Sequence, residues 1–301
     1  MGLFCWLMRL SLAVVGLLAL AAALAVFNNN VSFSKLSRAN FVNGLDRSLS
    51  ASTAWTIEQF SSNSSGELIG TDLGVEFVTN PSLLHMLVDS SAISGDPRLQ
   101  NLTSKIVAVY RKDAPGLIAK LVDPDIPGSL GASAEWAEYQ RWILHGLSPA
   151  AFPLPAADLA DMFSPDKFRM YDATHQLFAL YIYREFDGDT PELSSVMDRV
   201  ERRVAAEAAL DFRVSDLYLQ RIAFLLAAGR PDLVKPRWVE RALAAQQSDG
   251  GWRYTWHGWG PHLFSYRLSD SHSLAHPTAQ GMWLTNMLKY RYPDWIEKNY
   301  R

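Results

Sequence analysis

Residues 246–252, Gln-Gln-Ser-Asp-Gly-Gly-Trp, follow a segment of helical periodicity that begins near Pro236. Such a stretch closes a helix, because Gly250 and Gly251 are free to take positive φ where other residues are strained. Gln246 and Asp249 supply an amide and a carboxylate for the backbone groups that a helix end leaves open. Trp252 has the bulk to plug the resulting corner. Downstream, Trp252 to Tyr266 reads WRYTWHGWGPHLFSY, with three of the chain's ten tryptophans between 252 and 259. Aromatic faces with few charges suit stacking on sugar rings or lining a lipid or isoprenoid pocket. They equally suit plain packing over the end of a helical array. A further helix is expected over 277–291.

Upstream the signals are also helical. Phe41, Leu45 and Leu49 recur at helical spacing, and Asp96-Pro97 pairs an N-cap with proline at the first helical position. Ser133 precedes AEWAEYQRWILH, Ser164-Pro165 starts another helix, and others are expected over 193–210, 216–228 and 235–247. Leu68 to Val78 alternates and reads as a short strand or hairpin; no run of strands follows. Helices starting near Asp172, Asp216 and His272 each carry a polar mouth and then an apolar body. Spacings of about 44 and about 56 residues between them suit helix-hairpin repeats. About ten short helices over about 270 residues predict an all-α fold of stacked helical hairpins.

The spacing Gln246-x-x-x-Gly250-x-Trp252 resembles the QW repeat of squalene and oxidosqualene cyclases. Gln246-x-x-Asp249-Gly250-Gly251 is similar to a turn in protein prenyltransferase β subunits. The segment from Ser271-His272 through His276-Pro277-Thr278-Ala279 to Trp283 resembles an inner helix of the same superfamily. The likeness runs from Val234 to Tyr290, and more weakly back to about Met170. It implies an α/α toroid for residues 38–301, an inner ring of helices inside an outer ring. It also implies that Gln246, Asp249, Gly250, Gly251 and Trp252 are a structural clamp. The Asp-x-Asp-Asp acid of hopene-forming cyclases is absent, and the single cysteine, Cys5, cannot serve a prenyltransferase-type zinc site. The resemblance therefore speaks to fold more than to activity.

In a toroid the inner-helix mouths face one end of a central cavity, which brings Asp172, His175, Asp216, Gln220, His272, His276 and Gln280 there. His276, Gln280, Trp283 and Met287 share one helical face by spacing. Pro277 puts His276 beside a helix start, where the positive end of the dipole favours a neutral imidazole available as a base. The plainer reading is a histidine that caps its own helix. His175 lies on an apolar face, as a base or as a satisfied core histidine. Asp172 and Asp216 suit acid–base work or simple capping. The catalytic candidates are thus His276, His175, Asp172, Asp216 and His272. The ligand-binding candidates are Trp252, Tyr254, Trp256, His257, Trp259, Gln280 and Trp283. His272 and His276 have the spacing of a zinc helix, but Ser273 stands where the accompanying acid belongs, so no metal or cofactor is expected.

Leu10 to Phe27 reads LSLAVVGLLALAAALAVF, uncharged and apolar on every face. At ~1.5 Å per residue it reaches ~27 Å, close to the thickness of a bilayer core. Residues 1–27 are expected to be a single-pass membrane anchor or a signal segment, since Ala23-Leu24-Ala25 offers a signal-peptidase pattern. Residues 28–37 read as a polar tether. The domain beyond is expected on the extracytoplasmic side. With 20% charged residues and a net charge of −3, the 301-residue chain has no basic excess for nucleic acid. Two functions remain open. One is an enzyme binding an apolar (isoprenoid or lipid) or glycan ligand, cyclase-like or of the polysaccharide lyase or hydrolase kind, working by His/Asp acid–base chemistry. The other is a non-catalytic, membrane-tethered binding or assembly subunit with a protein partner in the membrane.

Overall fold

In the computed structural model of the chain, a mostly apolar segment with Arg9 as its one charge forms helix α1, Gly2–Asn29. The structure describes residues 2–31, 34, 36–62, 68–112, 116–126, 136–165, 172–211, 213–253, 255–258, 265–266 and 272–301. Within α1, Leu10–Asn29 is long and apolar enough to cross a membrane, and only 6% of its most apolar window is buried. A cleaved signal sequence satisfies the same test of length and composition.

The start of the expected tether is not loose. Asn29 is fully buried. Its Nδ2 donates to the carbonyls of Ala208, Ala209 and Asp211 at 2.9, 3.1 and 3.2 Å. Its Oδ1 accepts from the Tyr218 hydroxyl at 2.9 Å and from Arg241. Asn30 Nδ2 donates to the Ala209 carbonyl at 2.7 Å, and Asn30 Oδ1 accepts from Lys235 Nζ at 2.6 Å. A short amide can occupy both its donor and its acceptor sites inside protein, so burial here is fully compensated.

Beyond it, the described residues are mostly helical. The helices are α2 Arg38–Glu58, α3 Asp72–Thr79, α4 Pro81–Ser94, α5 Pro97–Lys112, α6 Glu138–Leu147 and α7 Ala156–Met162. They continue with α8 Asp172–Asp187, α9 Pro191–Leu210, α10 Asp216–Ala227, α11 Pro236–Ala244, α12 Ala275–Asn286 and α13 Pro293–Asn299. Their starts follow ordinary capping: Ser37, Thr71, Asn80, Thr190 and Ser215 each accept a bond from a backbone N–H of the following turn. Five short strands complete the set: β1 Phe60–Ser62, β2 Leu68–Gly70, β3 Val214–Ser215, β4 Thr255–Gly258 and β5 Ser265–Tyr266. β1 and β2 form an antiparallel hairpin, and β4 lies between β3 and β5. The expected strand over 68–78 is confined to 68–70, because Thr71 caps α3 immediately afterwards.

α4 packs on α12, α12 on α10, α10 on α8, and α8 on α6. A 3-10 turn at Leu117–Leu121 touches both α6 and α4 and closes this circuit. Outside it, α5 lies against α4, α9 against α8 and α10, and α2 against α12. The C-terminal residues fasten onto α2, with the Tyr300 ring stacked on Phe41 at 3.8 Å and the Arg38 amide donating to the Arg301 carbonyl at 2.9 Å.

The turn at 246–252 joins α11, α12 and α2. Gln246 Nε2 donates to the carbonyls of Ser48 and Gly250 at 2.9 and 2.7 Å. Gly250 has φ 99°, and a Cβ there would sit 2.4 Å from the Ala51 carbonyl oxygen. Asp249 Oδ1 accepts from the Ser273 hydroxyl at 2.6 Å and from the Gly251 amide at 3.2 Å. Burial opposes its ionisation, but these bonds together outweigh it and hold the carboxyl below its ordinary value. The Trp252 indole donates to the Ala242 carbonyl at 2.8 Å and lies flush on Gly281, where a Cβ would meet the ring at 2.6 Å.

Candidate functional site

Inside the circuit of helices lies a cavity of about 320 Å³. Each helix contributes residues from its first two to three turns: Pro81, Ser82 and Met86 from α4, Tyr139, Gln140 and Ile143 from α6, and His175 and Phe178 from α8. Gln220 and Phe224 come from α10, and His276 from α12. Asn80, the cap of α4, and Trp136, just before α6, complete the rim with Thr79. Proline at the first position and the Asn80 cap fix where α4 begins, and hence which of its side chains reach the cavity.

The walls are of two kinds. Trp136, Tyr139, Phe178 and Phe224 give aromatic surface, and Phe178 and Phe224 stack on one another at 4.8 Å between centroids. Asn80, Ser82, Gln140, His175, Gln220 and His276 give hydrogen-bonding groups. The His175 ring lies 4.5 Å from that of Tyr139. Gln220 Oε1 accepts from the Thr174 hydroxyl at 3.1 Å, which fixes the amide's orientation. None of the described lining residues is Lys, Arg, Asp or Glu.

Beside the cavity, Asp216 Oδ2 lies 3.6 Å from His276 Nδ1, and the two side chains are 18% and 22% exposed. Asp216 opens α10 while Ser215 caps it. The carboxylate is thus left for the neighbouring helix, and His276 faces that carboxylate from the start of α12. Gln280, one turn on, places its Nε2 3.4 Å from His276 Nδ1, while its Oε1 is buried without a partner. A partly exposed imidazole beside a carboxylate is a unit for moving protons, because the carboxylate can orient the ring toward a ligand.

The structure therefore places His175, Gln220 and His276 on one cavity wall, with Asp216 beside His276. Gln280 and Trp283 are fully buried and do not line the cavity. The Trp283 indole donates to Asp89 Oδ2 at 2.6 Å, and its ring meets His85 and Phe224 edge-on. Trp252 is a core residue at 1% exposure, so its place is in the clamp and not against a ligand. His272 is exposed and precedes α12, apart from the cavity lining. Tyr254 and Trp259 lie outside the described residues, as do the side chains of Asp172, Trp256 and His257. Among the described residues no group of His, Cys, Asp and Glu is arranged to hold a metal ion.

The α6 contribution was not anticipated. Tyr139 and Gln140 also form a polar mouth before an apolar body, but this helix was read from Ser133 alone and not aligned with the three repeats. His85 was also passed over. Its Nδ1 pairs with the Leu121 carbonyl at 2.7 Å, and its Nε2 is buried without a partner against Phe178 and Trp283. Burial pushes this imidazole below its ordinary value, although Asp89 pulls the other way. No family model, curated protein or solved structure matches the chain.

Proposed function

We propose that the chain is a membrane-anchored α/α toroid that binds an uncharged, sugar-like ligand in its central cavity and acts on it through His276 and Asp216. The toroid reading is supported by the closed circuit α4–α12–α10–α8–α6, with α5, α9 and α2 outside it. The observation that carries the function is the composition of one cavity: four aromatic rings, six hydrogen-bonding side chains and an adjoining histidine–carboxylate pair. Aromatic faces stack on the C–H faces of sugar rings, and amides and hydroxyls pair with sugar hydroxyls. An isoprenoid diphosphate calls for cations, and the described lining offers none. A purely apolar polyene would make no use of the hydrogen-bonding groups on the wall.

In this reading His276 transfers a proton to or from a sugar oxygen, Asp216 holds the ring and balances its charge, and His175 and Gln220 position hydroxyls. The reaction class is glycan hydrolysis, in which water bonds to the anomeric carbon as the glycosidic C–O bond breaks and the leaving oxygen takes the proton. The test uses full-length protein in detergent micelles, with neutral disaccharides as ligands and neutral nitrophenyl glycosides as reporters. Saturable quenching of tryptophan fluorescence by a disaccharide is expected, and Tyr139→Ala should abolish it. His276→Ala and Asp216→Asn should retain binding and lose nitrophenol release. Absence of binding by every neutral disaccharide would overturn the reading. Binding without release by the unaltered protein would favour a non-catalytic subunit, the alternative that the firmly seated α1 suits.

A further inference from the structure

We infer that the cavity opens at the membrane surface and takes its ligand from the bilayer, as the uncharged glycan headgroup of a lipid. This rests on the sugar-binding reading above and adds where the sugar comes from.

The placement follows from α10. Tyr218, which holds Asn29 at the foot of α1, lies between Asp216 and Gln220 in sequence. Asp216 and Gln220 turn toward His276 and the cavity, whereas Tyr218 turns toward the anchor. At ~1.5 Å of rise per residue, the foot of α1 and the cavity wall differ by ~3 Å along α10, and they are separated by one helix diameter of ~10 Å. The inner helices present their N-terminal two to three turns to the cavity, so it lies toward their common N-terminal end. That is the end where α9 finishes and where its last carbonyls receive Asn29.

The foot of α1 also marks the level of the bilayer. Leu10–Asn29 spans ~30 Å as a helix, the thickness of the hydrocarbon core, so Asn29 falls at the headgroups. α1 keeps one face on the domain for its last turn, where Ala25 is buried, while Leu24 and Phe27 on its other faces are 58% and 72% exposed. Two further features share this end. Leu210, between Ala209 and Asp211, two of the three residues whose carbonyls bind Asn29, is 68% exposed, an apolar side chain set beside the anchor. β4 pairs with β3, directly before α10, with Trp256 opposite Val214 and Thr255 opposite Ser215. An exposed apolar side chain at this depth is one that a headgroup layer accommodates.

The experiment uses full-length protein with Cys5→Ser, reconstituted in phosphatidylcholine nanodiscs. A fluorophore is placed at the rim by Gln140→Cys, or at the opposite end of α8 by Asp187→Cys. Lipids bearing a nitroxide headgroup should quench the rim label several-fold more than the Asp187→Cys label. Equal quenching, or stronger quenching at position 187, would overturn the inference. A second arm compares ligand sources: nanodiscs containing a neutral diglycosyl diacylglycerol, and the corresponding free disaccharide. Protection of the Gln140→Cys thiol from alkylation by the glycolipid, lost in Tyr139→Ala, is expected. Protection by the disaccharide alone would refute the membrane source and leave the sugar-binding reading standing. Protection by neither would refute both.

Discussion

The 246–252 corner and the cavity rim each hold an aspartate beside a helix start, and they use it in opposite ways. Asp249 accepts two bonds from Ser273 and one from the Gly251 amide, and a fully buried tryptophan stands next to it. Asp216 faces the His276 ring at 3.6 Å in a half-exposed setting. The first carboxylate is consumed by the fold; the second remains within reach of solvent and of a ligand. Residue type alone does not separate the two cases. The partners do, since neighbouring backbone amides and a serine tie an acid down, whereas an imidazole across a helix gap leaves it within reach of a ligand.

That contrast can be broken most forcefully at the corner. Trp252→Ala removes a plug seated on Gly281 and should cost about 3–5 kcal/mol, read as a lowered midpoint in chemical denaturation of the solubilised protein. Asp249→Ala should cost about 1–3 kcal/mol by leaving the Ser273 and Gly251 donors without an acceptor. It should also change the acid limb of the stability profile. The folded carboxyl lies below its ordinary 3.8, so Asp249 contributes stability above that value and loses it as pH falls through the depressed folded value. A variant with the same acid limb as the unaltered protein would show that the corner does not depend on this charge.

His85, behind the cavity, tests the ground between the two regions. Its folded value lies below 6.5, so the unfolded chain takes up the proton more readily. Its contribution is therefore complete above 6.5 and declines as pH drops toward the folded value. His85→Phe should flatten the stability profile between roughly pH 7 and 5; an unchanged slope would assign the slope to other groups. The smallest effect on stability belongs to the rim. Asp216→Asn should alter it by no more than about 0.5 kcal/mol, while shifting the pH dependence of any nitrophenyl glycoside turnover. A large loss of stability would place Asp216 with Asp249, as a residue of the fold.

The corner was legible because its chemistry is local: Gly250 must turn, and the residues that satisfy the helix end lie within the same seven. Helix starts such as Asp96-Pro97 were equally readable. The cavity was legible on α8, α10 and α12, where a polar mouth precedes an apolar body. It was not legible on α6, nor at Asn80 and Ser82, whose facing the cavity depends on how distant helices pack. Trp283 was misplaced for a related reason. Helical spacing puts it on the face of His276, but its indole reaches Asp89 on α4, across the helix pair. The asparagines at 28–30 read as a tether because polarity after an apolar run suggests solvent. A buried socket built from α9, α10 and α11 leaves no trace in that stretch.

The burial of Asn29 limits how the domain can move once α1 lies in a bilayer. A domain on a loose leash sweeps a hemisphere and meets dissolved molecules from every direction. A domain whose leash ends inside its own core keeps one face down, free only to drift sideways and to spin about the membrane normal. Its encounters become a search in two dimensions, governed by the surface density of what shares the leaflet and not by concentration in the surrounding water.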